Sequence, residues 1–293
     1  MAVAGKDVEH KRILNGLPRP FLKWAGGKTQ ILPDLLKRVP ADFKAYHEPF
    51  LGGGALFFAL TRNGRLTGKR VFLSDSNPEL VNAFRVVRDD PEELLRLLED
   101  YQDRNTSQDY YRIRAQRPRS PAKRAARLIY LNRTCYNGLY RVNSRGEFNV
   151  PFGRYGNPRI YDPQNILAVS EALQGVEIIQ EDFEAVLSRA KPGDLVYFDP
   201  PYYPISATAR FSDYTANGFS SEDHIRLARA FASLAEMGVL VMESNSDTRF
   251  VRKHYRAWRL IKIRARRPIN SKGEGRGPIA ELVIVSYGRK GNA

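Results

Sequence analysis

The sequence predicts an α/β core interrupted by a mainly helical, basic insert. Three observations point that way. Short apolar, β-branched or aromatic runs end at an acid or a turn: Val71-Phe72-Leu73-Ser74 before Asp75, and Leu195-Val196-Tyr197-Phe198 before Asp199. Runs of this kind read as buried strands. Glycine turns and stretches of helical spacing accompany such runs, as at Glu222 to Glu236. From about Pro78 to Gln164 the character changes to helical and basic, and later becomes rich in Asn, Gly, Tyr and Arg.

Taken in order, Met1 to Arg19 is polar and lacks the apolar stretch of a signal peptide, so a cytoplasmic setting is the default expectation. Trp24-Ala25-Gly26-Gly27-Lys28-Thr29 precedes a helix expected over Gln30 to Arg38. It is not a phosphate-binding Walker loop: Leu22 stands where that motif needs glycine, and Pro18 and Pro20 interrupt any preceding strand. A second glycine cluster, Phe50-Leu51-Gly52-Gly53-Gly54, follows Ala45-Tyr46-His47-Glu48-Pro49 and leads into an apolar helix through Leu60. Glycines at a strand-to-helix turn let the backbone approach a nucleoside closely. Phe57 occupies the third glycine position of the dinucleotide fingerprint, which argues against NAD. Asp75, about twenty residues on, is placed to accept hydrogen bonds from ribose hydroxyls. Val176-Glu177-Ile178-Ile179 and Val239-Leu240-Val241-Met242 are further strands. Trp258 to Arg264 and Ala280 to Tyr287 are expected to pair as an antiparallel hairpin across the glycine-rich connection Asn270 to Pro278.

Composition narrows the function. The chain has 293 residues, 42% of them hydrophobic, enough for one large domain or a core with an inserted smaller one. A mean hydropathy of −0.46 and the lack of a long apolar run exclude a membrane span. One cysteine, Cys135, excludes an internal disulfide and a cysteine-cluster metal site, and four scattered histidines form no ligand-spaced pair, so no metal is expected. A net charge of +15 and a pI near 9.9 point to an anionic partner, nucleic acid being the commonest. The charge is clustered at Arg112, Arg114, Arg117, Arg119, Lys123, Arg124, Arg127 and Arg133. A second cluster lies at Lys262, Arg264, Arg266, Arg267, Lys272 and Arg276.

The tetrapeptide Asp199-Pro200-Pro201-Tyr202 carries the most chemical information. It closes a buried strand at the edge where open α/β sheets bind ligands. Pro200 and Pro201 donate no hydrogen bonds, so the loop presents carbonyl acceptors, an acid and an aromatic face. An exocyclic amine of a nucleobase needs that set to become a nucleophile. Its lone pair is delocalised into the ring, and two acceptors on its N–H groups favour the pyramidal, reactive form.

Together these residues resemble the DNA adenine-N6 methyltransferases of the Dam type, the α class or D12 family. Phe21-Leu22-Lys23-Trp24-Ala25-Gly26-Gly27-Lys28 is similar to their N-terminal signature, Glu48 to Gly54 to their S-adenosylmethionine motif, and Asp199-Pro200-Pro201-Tyr202 to their catalytic motif. Leu131-Asn132-Arg133, Tyr136 to Arg141 and Arg145 to Tyr155 resemble their recognition region, and the likeness runs from about Arg19 to Tyr287. The resemblance implies a Rossmann-like class I methyltransferase sheet with its last strand antiparallel, carrying an inserted, mainly helical target-recognition domain. Residues 19–78 and 168–288 would form the catalytic core, 79–167 the insert, and 1–18 and 289–293 flexible tails.

It also implies roles. Asp199, Pro200, Pro201 and Tyr202 would be catalytic; Trp24, Lys28, Phe50, Gly52, Gly54, Asp75, Asp182, Phe183 and Asp199 would bind S-adenosyl-L-methionine. Lys23, Arg133, Tyr136, Asn137, Leu139, Arg141, Pro151 and Arg154 would bind double-stranded DNA. The implied reaction methylates adenine N6 after base flipping, at 5′-GATC: Arg141 and Lys23 would read the guanines, Leu139 and Pro151 the thymine methyls, and Tyr136 would fill the vacated stack. The polar segment Tyr203 to Phe219 is expected to close over the base. The chain departs from the family pattern at Thr134-Cys135 and Tyr140. No membrane or obligatory protein partner is implied. The alternatives are another planar amine as substrate, or a non-catalytic DNA-binding protein on the same fold.

Overall fold

The computed structural model describes residues 16–24, 26–28, 30–205, 219–265 and 279–288. Among them seven strands run in chain order: β1 (Ala45–Glu48), β2 (Arg70–Asp75), β3 (Glu177–Gln180), β4 (Leu195–Phe198), β5 (Leu240–Ser246), β6 (Arg259–Ala265) and β7 (Ile279–Val285). The chain divides into two compact units. One takes Met1–Gly27, Gly52–Thr67 and Asn77–Gln180, the other Lys28–Leu51, Gly68–Ser76 and Glu181–Ala293.

The second unit is built on the order β2-β1-β4-β5-β7-β6. Strands β2, β1, β4 and β5 are parallel, and β7 runs antiparallel to both β5 and β6. All four residues of β4 are buried, as a central parallel strand covered on both faces requires. The β6–β7 pairing joins Arg259–Ala265 to Ile279–Val285, the hairpin expected from the two late apolar runs; its connection lies outside the described residues. Ser221–Glu236 is helical because Ser220 and Asp223 form a reciprocal capping box, and Leu227, Ala230, Phe231 and Leu234 bury one face. That face meets Val196, Phe198, Val241 and Ile284 in the core of this unit.

The first unit is mainly helical. Pro78–Asp89, Pro91–Gln102, Pro121–Thr134 and Pro163–Ala172 each start on a proline, whose missing N–H costs nothing in a first turn. Pro121–Thr134 is the central helix, burying Leu128, Ile129, Tyr130 and Leu131 against Pro78–Asp89 and Pro91–Gln102. Between β2 and β3 the chain is helical, the insertion expected there. The helix expected over Gln30 to Arg38 is shorter, Leu32–Leu36, because Pro33 sets its start. No described helix is long and apolar enough to cross a membrane.

Candidate active site and recognition loop

At the carboxyl end of β4, the Asp199 carboxylate is fixed by two donors. Lys28 Nζ lies 2.7 Å from Oδ1, and Ser244 Oγ donates to the same oxygen at 2.8 Å. Ser244 Oγ also shares a 2.9 Å hydrogen bond with the Tyr197 hydroxyl. Lys28 is buried, and its ammonium sits 4.6 Å from the centroid of the Tyr202 ring, whose hydroxyl donates to Glu281 Oε2 at 2.9 Å. Burial pushes the Asp199 carboxyl above its ordinary range, while Lys28 and Ser244 pull it back down. Pro200 is buried and Pro201 exposed.

The loop that follows is held from the neighbouring strand. Parallel register sets Phe198 opposite Glu243, which brings Ser244, Asn245 and Ser246 beside the chain leaving β4. Asn245 Oδ1 accepts the Tyr203 N–H at 3.1 Å, and Ser246 Oγ donates to the Tyr203 carbonyl at 2.6 Å. Asn245 Nδ2 in turn donates to Glu243 Oε1 at 3.0 Å, and Tyr255 to Glu243 Oε2 at 2.7 Å. Burial raises the Glu243 carboxyl to about 8. Sequence reasoning missed these four supports. The polar run that opens at Glu243, directly after the apolar run Val239 to Met242, was the available signal.

In the same unit Phe50 stacks on Phe183, ring centroids 5.3 Å apart at 22°. Arg226 lies over the Phe183 ring at 5.0 Å and pairs with Asp182, Glu184 and Asp223. Asp75 ends β2 half-buried, and its carbonyl accepts the Glu181 N–H at 3.2 Å, which brings the chain of Asp182 close to it. A carboxylate such as Asp75 can accept from sugar hydroxyls, and stacked flat rings can pack against a base.

In the helical unit, Gly52 and Gly54 adopt φ of +48° and +67°, where other residues are strained. A Cβ on Gly52 would stand 3.0 Å from Trp24 Cδ1, tight enough that the indole would have to give way. Trp24 stacks on Tyr140, ring centroids 5.3 Å apart at 26°.

The expected DNA residues of this unit gather around the end of helix Pro121–Thr134. Tyr136 and Leu139 are exposed apolar side chains, 55% and 39% accessible, on either side of a turn in which Asn137 and Gly138 both have positive φ. The Tyr136 N–H donates to the Pro151 carbonyl at 2.9 Å. Lys23 Nζ lies 4.9 Å from the Tyr155 ring centroid, and the Tyr155 hydroxyl accepts the Asn137 N–H at 2.9 Å. Arg141 is exposed, and its Nε and Nη2 donate to the side-chain and main-chain oxygens of Asn149 at 2.7 and 3.3 Å. Arg154 is exposed with φ +56°. Arg133 is partly buried and donates to the Phe21 carbonyl at 2.7 Å. Asn149 and Tyr155, which orient Arg141 and Lys23, had no separate mark in the sequence.

Much of the mid-chain arginine cluster is engaged internally. Arg117 and Arg127 donate to carbonyls at the end of helix Ser107–Ala115, and Arg124 pairs with Glu79 at 2.5 Å. Of the second cluster, Lys262 faces Asp247 at 3.6 Å; Arg266, Arg267, Lys272 and Arg276 lie outside the described residues. Residues 206–218, most of the expected closing segment, also lie outside them.

Comparison with known proteins gives the family. A family model described as "D12 class N6 adenine-specific DNA methyltransferase" matches residues 24–269. The chain is 42% identical to "Type II methyltransferase M1.LlaDCHI" of Lactococcus lactis subsp. cremoris, over 92% of this chain and 96% of that protein. It is equally similar, at 42%, to "Type II methyltransferase M.MjaIII" of Methanocaldococcus jannaschii, over 92% and 99%. Against the "DNA adenine methylase" of Escherichia coli (strain K12) the identity is 36%, over 91% and 95%. The chain belongs to the D12 class of N6 adenine-specific DNA methyltransferases.

Proposed function

We propose that the protein takes the methyl group from S-adenosylmethionine and places it on N6 of an adenine flipped out of duplex DNA, at 5′-GATC. The observation that carries this is the Asp199 carboxylate at the end of β4, held by Lys28 and Ser244 with the Tyr202 ring alongside. Flipping costs a few kcal/mol, because N6 cannot be reached within the stack. Tyr202 offers a ring to the flipped base, a contact worth about 1–3 kcal/mol. Its hydroxyl is anchored on Glu281, so the ring is oriented before the base arrives. The Asp199 carboxylate and the Pro200 carbonyl accept the two amino hydrogens, which concentrates the lone pair on N6. Lys28 and Ser244 favour the ionised carboxylate that this needs.

When bound, S-adenosylmethionine supplies an electrophilic methyl group on a sulfonium centre. Within the second unit, the acid at Asp75 and the Phe50–Phe183 stack suit such a nucleoside; within the helical unit, the left-handed glycines 52 and 54 and the indole of Trp24 offer it a close backbone and a flat face. Asp75 would accept from the ribose, and Phe183 with Asp182 would hold the adenine. On the DNA side, Arg141 oriented by Asn149 and Lys23 oriented by Tyr155 support guanine readout, and the exposed Leu139 and Pro151 support contact with thymine methyls.

Sequencing of methylated positions on random duplex DNA tests the target. N6-methyladenine accumulates at GATC if the proposal holds, and a main product elsewhere would sink it. Titration of S-adenosylmethionine against Asp75→Ala tests the cofactor side: affinity drops while DNA affinity is kept.

A further inference from the structure

The indole of Trp24 is held from two sides within the helical unit. Tyr140 lies against its face at 5.3 Å, and Gly52 against its edge, where even a Cβ would press to 3.0 Å. Tyr140 is itself half-buried and meets Phe148 edge-on at 5.9 Å. Its neighbours in the chain are Leu139 and Arg141, both exposed. A second tie runs through the backbone. The buried Asn132 accepts the Lys23 N–H at 2.7 Å, donates to the Lys23 carbonyl at 2.6 Å, and donates to the Gly138 carbonyl at 3.0 Å. Residues 23–24 therefore touch both the glycine turn and the recognition loop.

We propose that Tyr140 is a positioning residue: it fixes the Trp24 ring against the glycine turn, and so makes cofactor affinity depend on the loop that meets DNA. This rests on Trp24 being a cofactor residue, as proposed above. The physical reason is pre-organisation. An indole lacking a partner on one face samples several rotamers, and ordering it on binding costs affinity. A flat ring stacked on that face removes the freedom beforehand. What matters is the ring plane, so phenylalanine serves as well as tyrosine, whereas leucine fills space without offering a face. Movement of Leu139 or Arg141 on meeting a base pair is transmitted by chain continuity to Tyr140, and by the stack to Trp24. Linkage makes the dependence mutual: whatever DNA does to cofactor affinity, the cofactor does to DNA affinity.

The sequence has two tryptophans, so Trp258→Phe leaves Trp24 as the sole indole reporter. In that background, S-adenosylmethionine is titrated calorimetrically into the otherwise unchanged protein and into Tyr140→Phe, Tyr140→Leu, Tyr140→Ala and Trp24→Ala. A GATC duplex is then added without cofactor while indole emission is followed. Tyr140→Phe should hold cofactor affinity within about twofold, and Tyr140→Leu and Tyr140→Ala should weaken it by roughly two- to tenfold. The duplex should shift Trp24 emission with tyrosine or phenylalanine at 140 and not with leucine or alanine. Tyr140→Leu keeps the apolar volume should Tyr140→Ala fail to fold. Unchanged affinity in the leucine variant, or equal losses in the phenylalanine and leucine variants, overturns the role of Tyr140. Emission that the duplex leaves unmoved with tyrosine in place overturns the coupling. Trp24→Ala with full cofactor affinity removes the underlying assignment of Trp24, and the proposal with it.

Discussion

At the residue scale, Asp199 is a carboxylate asked to stay ionised while half-buried. Burial raises it, and Lys28 and Ser244 oppose that rise. The proposed mechanism needs an ionised acceptor for the amine, so activity should fall on the acid side at a pH above the usual aspartate range. Removing a donor raises the carboxyl further: Ser244→Ala should move the acid limb of the kcat profile to higher pH. A limb that stays put or moves down would count against the assignment. Asp199→Ala should cost at least about 10²-fold in kcat, the scale of a lost transition-state hydrogen-bonding group. Arg141 poses a second residue-scale question, because Asn149 takes two of its donors. Asn149→Ala should leave the guanidinium mobile and reduce discrimination at one guanine, by less than the roughly 1–3 kcal/mol expected for Arg141→Ala. Ratios of kcat/KM on GATC and singly substituted duplexes measure both. An Asn149→Ala enzyme with full discrimination would remove the orienting role.

Among elements, β5 does the most for the site, since parallel pairing with β4 brings Ser244, Asn245 and Ser246 to the catalytic loop. Its first polar residue, Glu243, is fully buried and raised to about 8 from an ordinary value of 4.5. Between those two values the folded chain keeps a proton that the unfolded chain has lost. Stability contributed this way is present below the unfolded value and is lost as pH rises towards about 8. Glu243→Gln carries no such proton and should flatten the decline. Urea midpoints at pH 5.5 and 8 (chosen to bracket most of the window) provide the check, and identical slopes in both proteins would refute the assignment. The glutamine keeps an acceptor for Asn245 or Tyr255, which separates the proton from the hydrogen bonds.

On the scale of the whole molecule, a net charge of +15 favours duplex DNA and makes affinity fall with salt. The structure separates exposed cations from those paired within the fold. Lys123 is exposed, so Lys123→Gln should weaken all sequences alike and reduce the log–log salt slope by about 1. Arg124, although adjacent, is half-buried on Glu79. Arg124→Gln should leave the slope nearly unchanged and cost about 0.2–1 kcal/mol of stability, as for a partly exposed pair. Equal slope changes for the two variants would show that Arg124 leaves Glu79 to reach phosphate.

The sequence by itself determined the elements, the family and the residue types of the loop after β4. Those features are local: apolar runs ending at Asp75 and Asp199, glycines at a turn, and two prolines that remove donors after Asp199. Only the tertiary structure decided which residues support them. Ser244 reaches Asp199 because strand register sets two distant segments side by side, and no spacing along the chain encodes that register. Tyr140 likewise lies against Trp24, far away along the chain, only through the tertiary fold. Charge shows the limit most plainly. Arg124 and Lys123 are neighbours of the same sign in the sequence, yet folding pairs one with Glu79 and leaves the other exposed. Composition counts charges, whereas burial and partners decide what each charge does.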